Sequence, residues 1–299
     1  FLGLKKLNQK EINSKYFYNE IGSKLFDQIS KLEEYYPTRK EIEILEEKRE
    51  YFSELLPEGA SIIEFGSGSN KKIKKFLKAL KNPKEYIPID ISKDFLIFNA
   101  KNVAEFFPGI SVNAICADFR KIKKLKKIVN DRKKNIGFFP GSTIGNFSPD
   151  EASLLMKNFA QIIGKNNFLV IGVDIRKEIN VMEMAYNDSE GITARFNKNI
   201  LNGVNEKTGL KFNEDDFDHK AYFNKEKKRI EMHLVSKKNL KIKNSSNTIK
   251  INKGESIHTE NSYKYSIEEF QKLSKISGFN TVKVLMDKKK YFSIFFLKA

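Results

Sequence analysis

The stretch Ile62-Ile63-Glu64-Phe65-Gly66-Ser67-Gly68-Ser69-Asn70, followed by Tyr86-Ile87-Pro88-Ile89-Asp90, decides the fold. An apolar run feeds a glycine turn, a lysine-rich helical stretch follows, and a second apolar run ends in a carboxylate 24 positions after Gly66. That order is a βαβ unit of the kind that holds a nucleoside. Glycines let the backbone approach a ligand, and the acid at the tip of the second strand accepts from ribose hydroxyls. The glycine pattern is G-x-G rather than G-x-G-x-x-G, and Lys71-Lys72 occupy the early helix. A dinucleotide pyrophosphate therefore fits less well than S-adenosylmethionine, which carries no phosphate. Turns with two glycines occur in many α/β folds, so this segment alone leaves a nucleoside site and a plain structural turn both open.

Working outward, strand-like runs recur at Ser61–Phe65, Tyr86–Ile89, Ser111–Cys116, Ile136–Phe139 and Asn167–Val173, and helical patterns at Lys71–Leu80, Ser92–Phe106 and Pro149–Ile163 separate most of them. Alternation at this spacing predicts a parallel sheet with helices on both faces. Upstream, Pro37 breaks or starts an element, and Glu41–Leu56 carries apolar residues at helical spacing. After Asp174 the character changes: residues 176–262 are polar, rich in Asn and Lys, and poor in βαβ rhythm. Within them Arg229–Val235 alternates like a half-exposed strand, and Lys241–Ser256 reads as edge or loop structure. The rhythm resumes with the capping box Ser266-Ile267-Glu268-Glu269, a helix that Gly278 can close, and a hairpin formed by Thr281–Met286 and Tyr291–Leu297. The expected fold is α/β: a Rossmann-like, seven-stranded sheet ending in an antiparallel hairpin, formed by residues 40–175 and 263–299. A smaller domain is expected from residues 1–39 and 176–262.

Composition bounds the function. Of 299 residues 40% are hydrophobic and 25 are Phe, enough for a substantial core. The single cysteine, Cys116, excludes a disulfide framework and suits a reducing, cytoplasmic compartment; at the end of a strand it reads as a buried, inert thiol. No apolar run is long enough to span a bilayer, and the start shows no signal-peptide pattern. A net charge of +17 invites a nucleic-acid partner, but only seven of the 55 basic residues are arginine and the lysines are spread along the chain. Guanidinium forks are the usual readers of bases and phosphates, so the expectation is no nucleic-acid partner and no membrane. No feature calls for a second subunit, and a monomer is expected.

In an open parallel sheet, ligands sit beyond the carboxyl ends of the strands. Four segments fall there. Gly66–Lys72 would wrap the amino-acid tail of the donor, and Asp90 would take its ribose. Asp118 could accept from an adenine amino group while Phe119 covers the base, and Gly141-Ser142-Thr143-Ile144-Gly145-Asn146 would border the sulfonium. Each also has a plain structural use, Asp118 as a helix cap and Asn146 as a turn residue. Their occurrence at successive strand ends favours the ligand reading. His219, His233 and His258 share no ligand spacing, so no metal is expected.

The chain resembles the S-adenosylmethionine-dependent histidine Nα-methyltransferases of ergothioneine biosynthesis, which make Nα,Nα,Nα-trimethylhistidine (hercynine). The segments that carry the resemblance are Tyr16-Phe17-Tyr18-Asn19-Glu20-x-Gly22-Ser23-x-Leu25-Phe26, Glu34-Tyr35-Tyr36-Pro37-Thr38-Arg39, Gly66-Ser67-Gly68, Gly141 through Asn146, Ala185 through Asn199, and His258-Thr259-Glu260-Asn261-Ser262-x-Lys264. It covers essentially the whole chain. The resemblance implies S-adenosylmethionine held by Gly66, Ser67, Gly68, Lys72, Asp90, Asp118 and Phe119. It implies L-histidine held at its amino-acid end by Tyr35, Asn146 and Tyr186, with its imidazole received by Glu260 and Ser262 and Met232 lining the side-chain pocket. Tyr18 would sit near the reacting amine, and with Asn146 it is the catalytic candidate. Glu260 and Ser262 are two apart, so an extended strand points both the same way. A carboxylate accepts from a ring N–H and a hydroxyl serves either nitrogen. A relative acting on a tryptophan derivative is the alternative. An indole offers one N–H and a larger ring, and would match that Glu poorly. A nucleic-acid methyltransferase is disfavoured because Phe139-Pro140-Gly141-Ser142-Thr143 lacks the Asp/Asn-Pro-Pro-aromatic motif.

Overall fold

The computed structural model describes residues 2–17, 19–68, 70–120, 134–244 and 248–299. The chain begins with β1 (Lys10–Glu11), α1 (Glu20–Ile29), α2 (Tyr36–Glu47) and α3 (Arg49–Leu55). The βα alternation follows: β2 (Ser61–Phe65), α4 (Asn70–Ala79), β3 (Glu85–Asp90), α5 (Lys93–Phe106), β4 (Ser111–Val112), β5 (Ile115–Cys116), β6 (Asn135–Phe139), α6 (Pro149–Ile163) and β7 (Phe168–Asp174). An insertion supplies α7 (Ile179–Met184), α8 (Ile192–Thr208), β8 (Phe217–Asn224), β9 (Arg229–Ser236), β10 (Leu240–Lys243), β11 (Thr248–Ile251) and β12 (Ser256–Tyr263). The chain closes with α9 (Ile267–Ile276), β13 (Asn280–Met286) and β14 (Phe292–Lys298). Two compact units result, Phe1–Tyr36 with Arg176–Lys264 and Pro37–Ile175 with Tyr265–Ala299.

The second unit is the α/β domain. Its sheet runs β13-β14-β7-β6-β2-β3-β4, with β5 also on β3. The strands from β2 to β7 are parallel, while β14 and β13 run antiparallel, which is the expected terminal hairpin. Both sheet faces are buried, as parallel strands require. One is covered by Ile44, Phe52, Ile73, Phe76 and Val103 from α2 to α5, packed on Ile62, Tyr86, Phe138 and Phe296. On the other, Phe159 of α6 stacks on Phe65 at 3.9 Å and Phe270 of α9 packs on Phe295. The alternation of Phe138 with Phe139 and Phe295 with Phe296 serves both layers. The capping box forms as expected, with Ser266 accepting from Glu269 N–H. In the hairpin turn, buried Asp287 accepts N–H groups from Lys289, Tyr291 and Phe292.

Three expectations need correction here. The run 41–56 is not one helix, because Lys48 leaves the helical region at φ −109°, ψ 19°. The run 111–116 is not one strand: it pairs β3 in constant register at Glu85↔Ser111, Tyr86↔Val112, Ile89↔Ile115 and Asp90↔Cys116, with a gap at 113–114. Tyr86 and Asp90 carbonyls accept from Asn113 and Ala117, so Pro88 faces the same edge, and it has no N–H to give. Cys116, beside that break, is exposed rather than buried.

The first unit holds the antiparallel pairs β12-β9-β8, with β1 added in parallel, and a separate β10-β11 hairpin. Arg229–Ser236 is not half-exposed: Ile230, Glu231, Met232, His233 and Leu234 are all buried. The insertion also contains the 17-residue helix α8, which buries Asn197 and Asn199. Asn197 donates to the His233 carbonyl and accepts from Thr259, and Asn199 donates to Asn19 Oδ1. Asn19 caps α1 through the Gly22 N–H at 2.8 Å, and Phe17 stacks on Phe196 of α8.

Candidate active site

In the α/β unit, the turn after β2 forms where glycine is required. Gly66 has φ +77°, and a Cβ there would touch Phe119 Cε1 at 3.4 Å; a Cβ at Gly68 would meet nothing within 4 Å. Gly66 and Ser67 N–H groups donate to the Ile89 carbonyl, fastening the turn to the end of β3. Beneath it lies a buried chain: Tyr86 donates to Glu64, and the Ser67 and Tyr86 hydroxyls pair at 3.1 Å. Burial pushes the Glu64 carboxyl up to about 7. Asp90 adds to the rise, while hydrogen bonds from Tyr86 and Ser67 and the Lys72 ammonium oppose it. The Ser67 side chain is thus turned toward the protein, and its backbone is the part facing the turn.

Asp90 is half-buried at the tip of β3 and accepts the Ser92 N–H at 2.8 Å, while burial raises its pKa. The Phe119 ring leans on Phe139 at 5.7 Å, a flat apolar wall beside Gly66. Asp118 is held by Arg120, whose Nε and Nη2 donate to its two oxygens at 2.8 and 2.7 Å. After β6, Ser142 adopts φ 55° and its hydroxyl accepts the Asp174 N–H. The short helical turn Thr143–Asn146 follows, with Asn146 at its end and half-buried.

Sequence reading missed the group that ties these loops together. Glu41 of α2 is fully buried, its two oxygens accept the Gly141 N–H at 3.0 and 2.9 Å, and it pairs with Lys72 at 2.6 Å. Gly172 of β7 makes room for it, since a Cβ there would collide with Glu41 Oε1. An open glycine turn, a half-buried acid at the second strand and an aromatic wall at the third are what an adenosine with an amino-acid tail requires. The residues fit S-adenosylmethionine, and Lys72, paired with Glu41, stands beside the Gly141 turn.

In the other unit, Glu260 of β12 lies opposite Met232 of β9, and Ser262 opposite Ile230. Alternation therefore puts Glu260, Ser262 and Met232 on one sheet face. Tyr186 reaches that face: its hydroxyl donates to Ser262 Oγ at 2.8 Å. His219 Nε2 contacts the Tyr186 carbonyl at 2.8 Å and Nδ1 contacts Asn197 Nδ2, so the proton sits on Nε2. Tyr35 packs edge-on against Tyr186, with ring centroids 6.3 Å apart. Burial pushes the Glu260 carboxyl up to about 7, and the Lys264 ammonium opposes the rise. Tyr35, Tyr186, Met232, Glu260 and Ser262 thus belong to one unit, Asn146 belongs to the other, and Tyr18 lies outside the described residues.

The opposite sheet face carries a polar network that spacing did not reveal. Glu231, His233 and His258 bring ligand-type atoms within 4.8 Å of one another. By count they could hold a cation, but Arg229 already donates twice to Glu231 Oε1, and Tyr222 and His233 contact its other oxygen. Although burial acts to raise the Glu231 pKa, those hydrogen bonds hold it at about 2. The rings of Tyr222, His233 and His258 stack in sequence, the two imidazoles at 24°, so their in-plane lone pairs run side by side rather than converging. Stacking and an adjacent guanidinium thus engage the groups of this network.

The family of histidine-specific, S-adenosylmethionine-dependent methyltransferases matches residues 2–299. The chain is 35% identical over 230 residues to a histidine N-alpha-methyltransferase of Mycolicibacterium smegmatis, covering 75% of this chain and 70% of the relative. It is 32% identical over 270 residues to the protein of the same name from Mycobacterium tuberculosis, covering 89% and 83%. Among solved structures, magnesium protoporphyrin IX methyltransferase from Synechocystis, with bound SAH, superposes with a TM-score of 0.51 at 11% identity, covering 96% of this chain and 98% of that one. That likeness shows the fold, the Rossmann-like sheet of class I methyltransferases. The glycine turn, the acid-tipped second strand and the match along nearly the whole sequence lead to one conclusion: the chain belongs to the S-adenosylmethionine-dependent, histidine-specific methyltransferase family.

Proposed function

We propose that this methyltransferase acts on L-histidine, adding three methyl groups in succession to the α-amino group to give hercynine. The observation that carries the reading is the single sheet face bearing Glu260, Ser262 and Met232, with the Tyr186 hydroxyl bonded to Ser262. It offers an imidazole an acceptor, a hydroxyl and an apolar wall. An indole would leave the Glu260 carboxylate poorly paired, at a cost of about 1–3 kcal/mol. Tyr35 and Tyr186 are read as holding the amino-acid end, with Asn146 assigned the same role. Gly66, Gly68, Lys72, Asp90 and Phe119 are read as the donor site, with Asp118 shared between the ligand and Arg120.

The donor supplies an activated methyl group for in-line displacement. The protein's part is to present the amine neutral and aligned. A desolvated site disfavours the ammonium, and a neighbouring sulfonium does so further. Positioning then supplies much of the rate, and the proton leaves to water after each round. The reading includes a monomer acting in the cytoplasm, without a resident metal and without a nucleic-acid partner. No helix among the described residues is long and apolar enough to cross a membrane.

The test is mass spectrometry of the purified protein incubated with S-adenosylmethionine and each of the twenty amino acids separately. Histidine alone should gain three methyl groups, and Glu260→Ala should abolish that gain. Methylation of a different amino acid would overturn the assignment of Glu260 and Ser262.

A further inference from the structure

Lys264 follows β12, is 1% exposed, and has no part in the reading above. Its Nζ donates to Ser262 Oγ at 2.9 Å and to the Tyr186 hydroxyl oxygen at 3.2 Å, and lies 5.0 Å from the Tyr186 ring centroid. With Tyr186 also donating to Ser262, these three groups form a closed triangle. A buried ammonium is costly unless an opposite charge meets it, and the two hydroxyls carry no charge. Residues 260, 262 and 264 share one side of an extended segment, so Glu260 is the carboxylate on that side. Above about pH 7, where Glu260 is ionised, the fixed charges of this subsite are one negative and one positive.

We propose that Lys264 is a positioning residue that sets the charge class of the accepted side chain. By balancing Glu260 it makes the subsite neutral overall, so an uncharged ring is taken and a cationic one refused. The inference rests on the reading that Glu260 and Ser262 receive the substrate side chain. An imidazolium, or a lysine or arginine side chain, would bring a second positive charge into a desolvated region already holding an ammonium, where like charges repel strongly. Of the titratable groups around it, Tyr186 meets the Lys264 ammonium, the Arg176 guanidinium contacts the Lys264 carbonyl, and the Lys228 carbonyl accepts the Lys264 N–H.

The experiment compares the full chain with Lys264→Met and Lys264→Arg. The values of kcat and KM for histidine are measured at about pH 6, where the ring is largely protonated, and at about pH 8.5, where it is neutral. Dividing variant by wild type at each pH cancels ionisation of the substrate's α-amine. Lys264→Met should raise the histidine KM roughly tenfold or more at the higher pH, where a net hydrogen bond to a charged group is lost. It should lose much less at the lower pH, because no ammonium then repels the imidazolium. Lys264→Arg should restore the wild-type ratio, and the KM for S-adenosylmethionine should stay within about twofold in both, showing a folded enzyme. Equal losses at both pH values, or an arginine variant that behaves like methionine, would overturn this proposal while leaving histidine as the substrate. A wild-type chain inert toward histidine would overturn the substrate reading, and this proposal with it.

Discussion

Glu41 and Lys72 form an ion pair of 2.6 Å in which the carboxylate is wholly buried and also accepts the Gly141 N–H with both oxygens. Helix α4 and the turn after β6 are thereby fixed to one side chain of α2. Removing one partner of such a pair leaves an uncompensated charge, a loss on the order of 3 kcal/mol. Glu41→Gln should lower stability to urea by about that amount. It should also raise the KM for S-adenosylmethionine roughly tenfold while the histidine KM barely moves. A variant with wild-type donor KM would show that Lys72 needs no such anchor.

The carboxyl of Glu64, raised from 4.5 to about 7, makes stability depend on pH. Between those values the folded protein holds a proton that the unfolded chain releases, so this group's contribution falls as pH rises from 4.5 to 7 and is flat above. Glu64→Gln keeps an acceptor for Tyr86 and removes the slope. Thermal unfolding at about pH 5 and about pH 8 should show the wild type losing up to roughly 3 kcal/mol more than the variant. Parallel curves for the two proteins would contradict the shift.

Tyr186→Phe deletes the hydroxyl that donates to Ser262 and accepts from Lys264, and keeps the ring against Tyr35. A net hydrogen bond of about 0.5–1.5 kcal/mol predicts a two- to tenfold rise in the histidine KM with kcat little changed. Steady-state kinetics at saturating donor decide it, and a fall in kcat alone would assign Tyr186 to the chemical step instead.

Asn19 caps α1 and accepts from Asn199, so its place in the N-terminal motif is structural. Asn19→Ala should cost about 1–2 kcal/mol of stability. Histidine and donor KM values should hold at temperatures where the variant is folded. Loss of activity without loss of stability would give Asn19 a direct role.

The features legible in the sequence are those whose partners lie close along the chain. The Ser266–Glu269 capping box and the hairpin at Asp287 rest on residues within a few positions of one another, and the Gly66 turn and Asp90 on a single βαβ repeat. The parts that were not legible depend on distant partners. Glu41 is 100 residues from Gly141, and Lys264 is 78 from Tyr186. In sequence Glu41 looks like an ordinary charged residue, and Lys264 belongs to a motif with nothing nearby in the chain to show what it meets. Helix α8 was hidden for the same reason: Asn197 and Asn199 count as polar in any periodicity, yet both are buried because Thr259, His233 and Asn19 satisfy them. Buried polar pairs invert the hydropathy signal on which period-reading depends. The resemblance singled out Glu260 and Ser262, and their spacing of two on one strand puts them on a common face whatever the fold around them.

Pro88 has a second effect, on how copies of this protein meet. A sheet whose last strand offers an unbroken row of N–H and C=O groups invites a neighbour to add its own strand, which is how soluble proteins begin to aggregate. Here the last position is two dipeptides separated by a gap that one imino acid imposes from the strand inside. Among the described residues, the interruption leaves an incoming chain no continuous row to copy, and it lies against the strand that carries the Asp90 carboxylate.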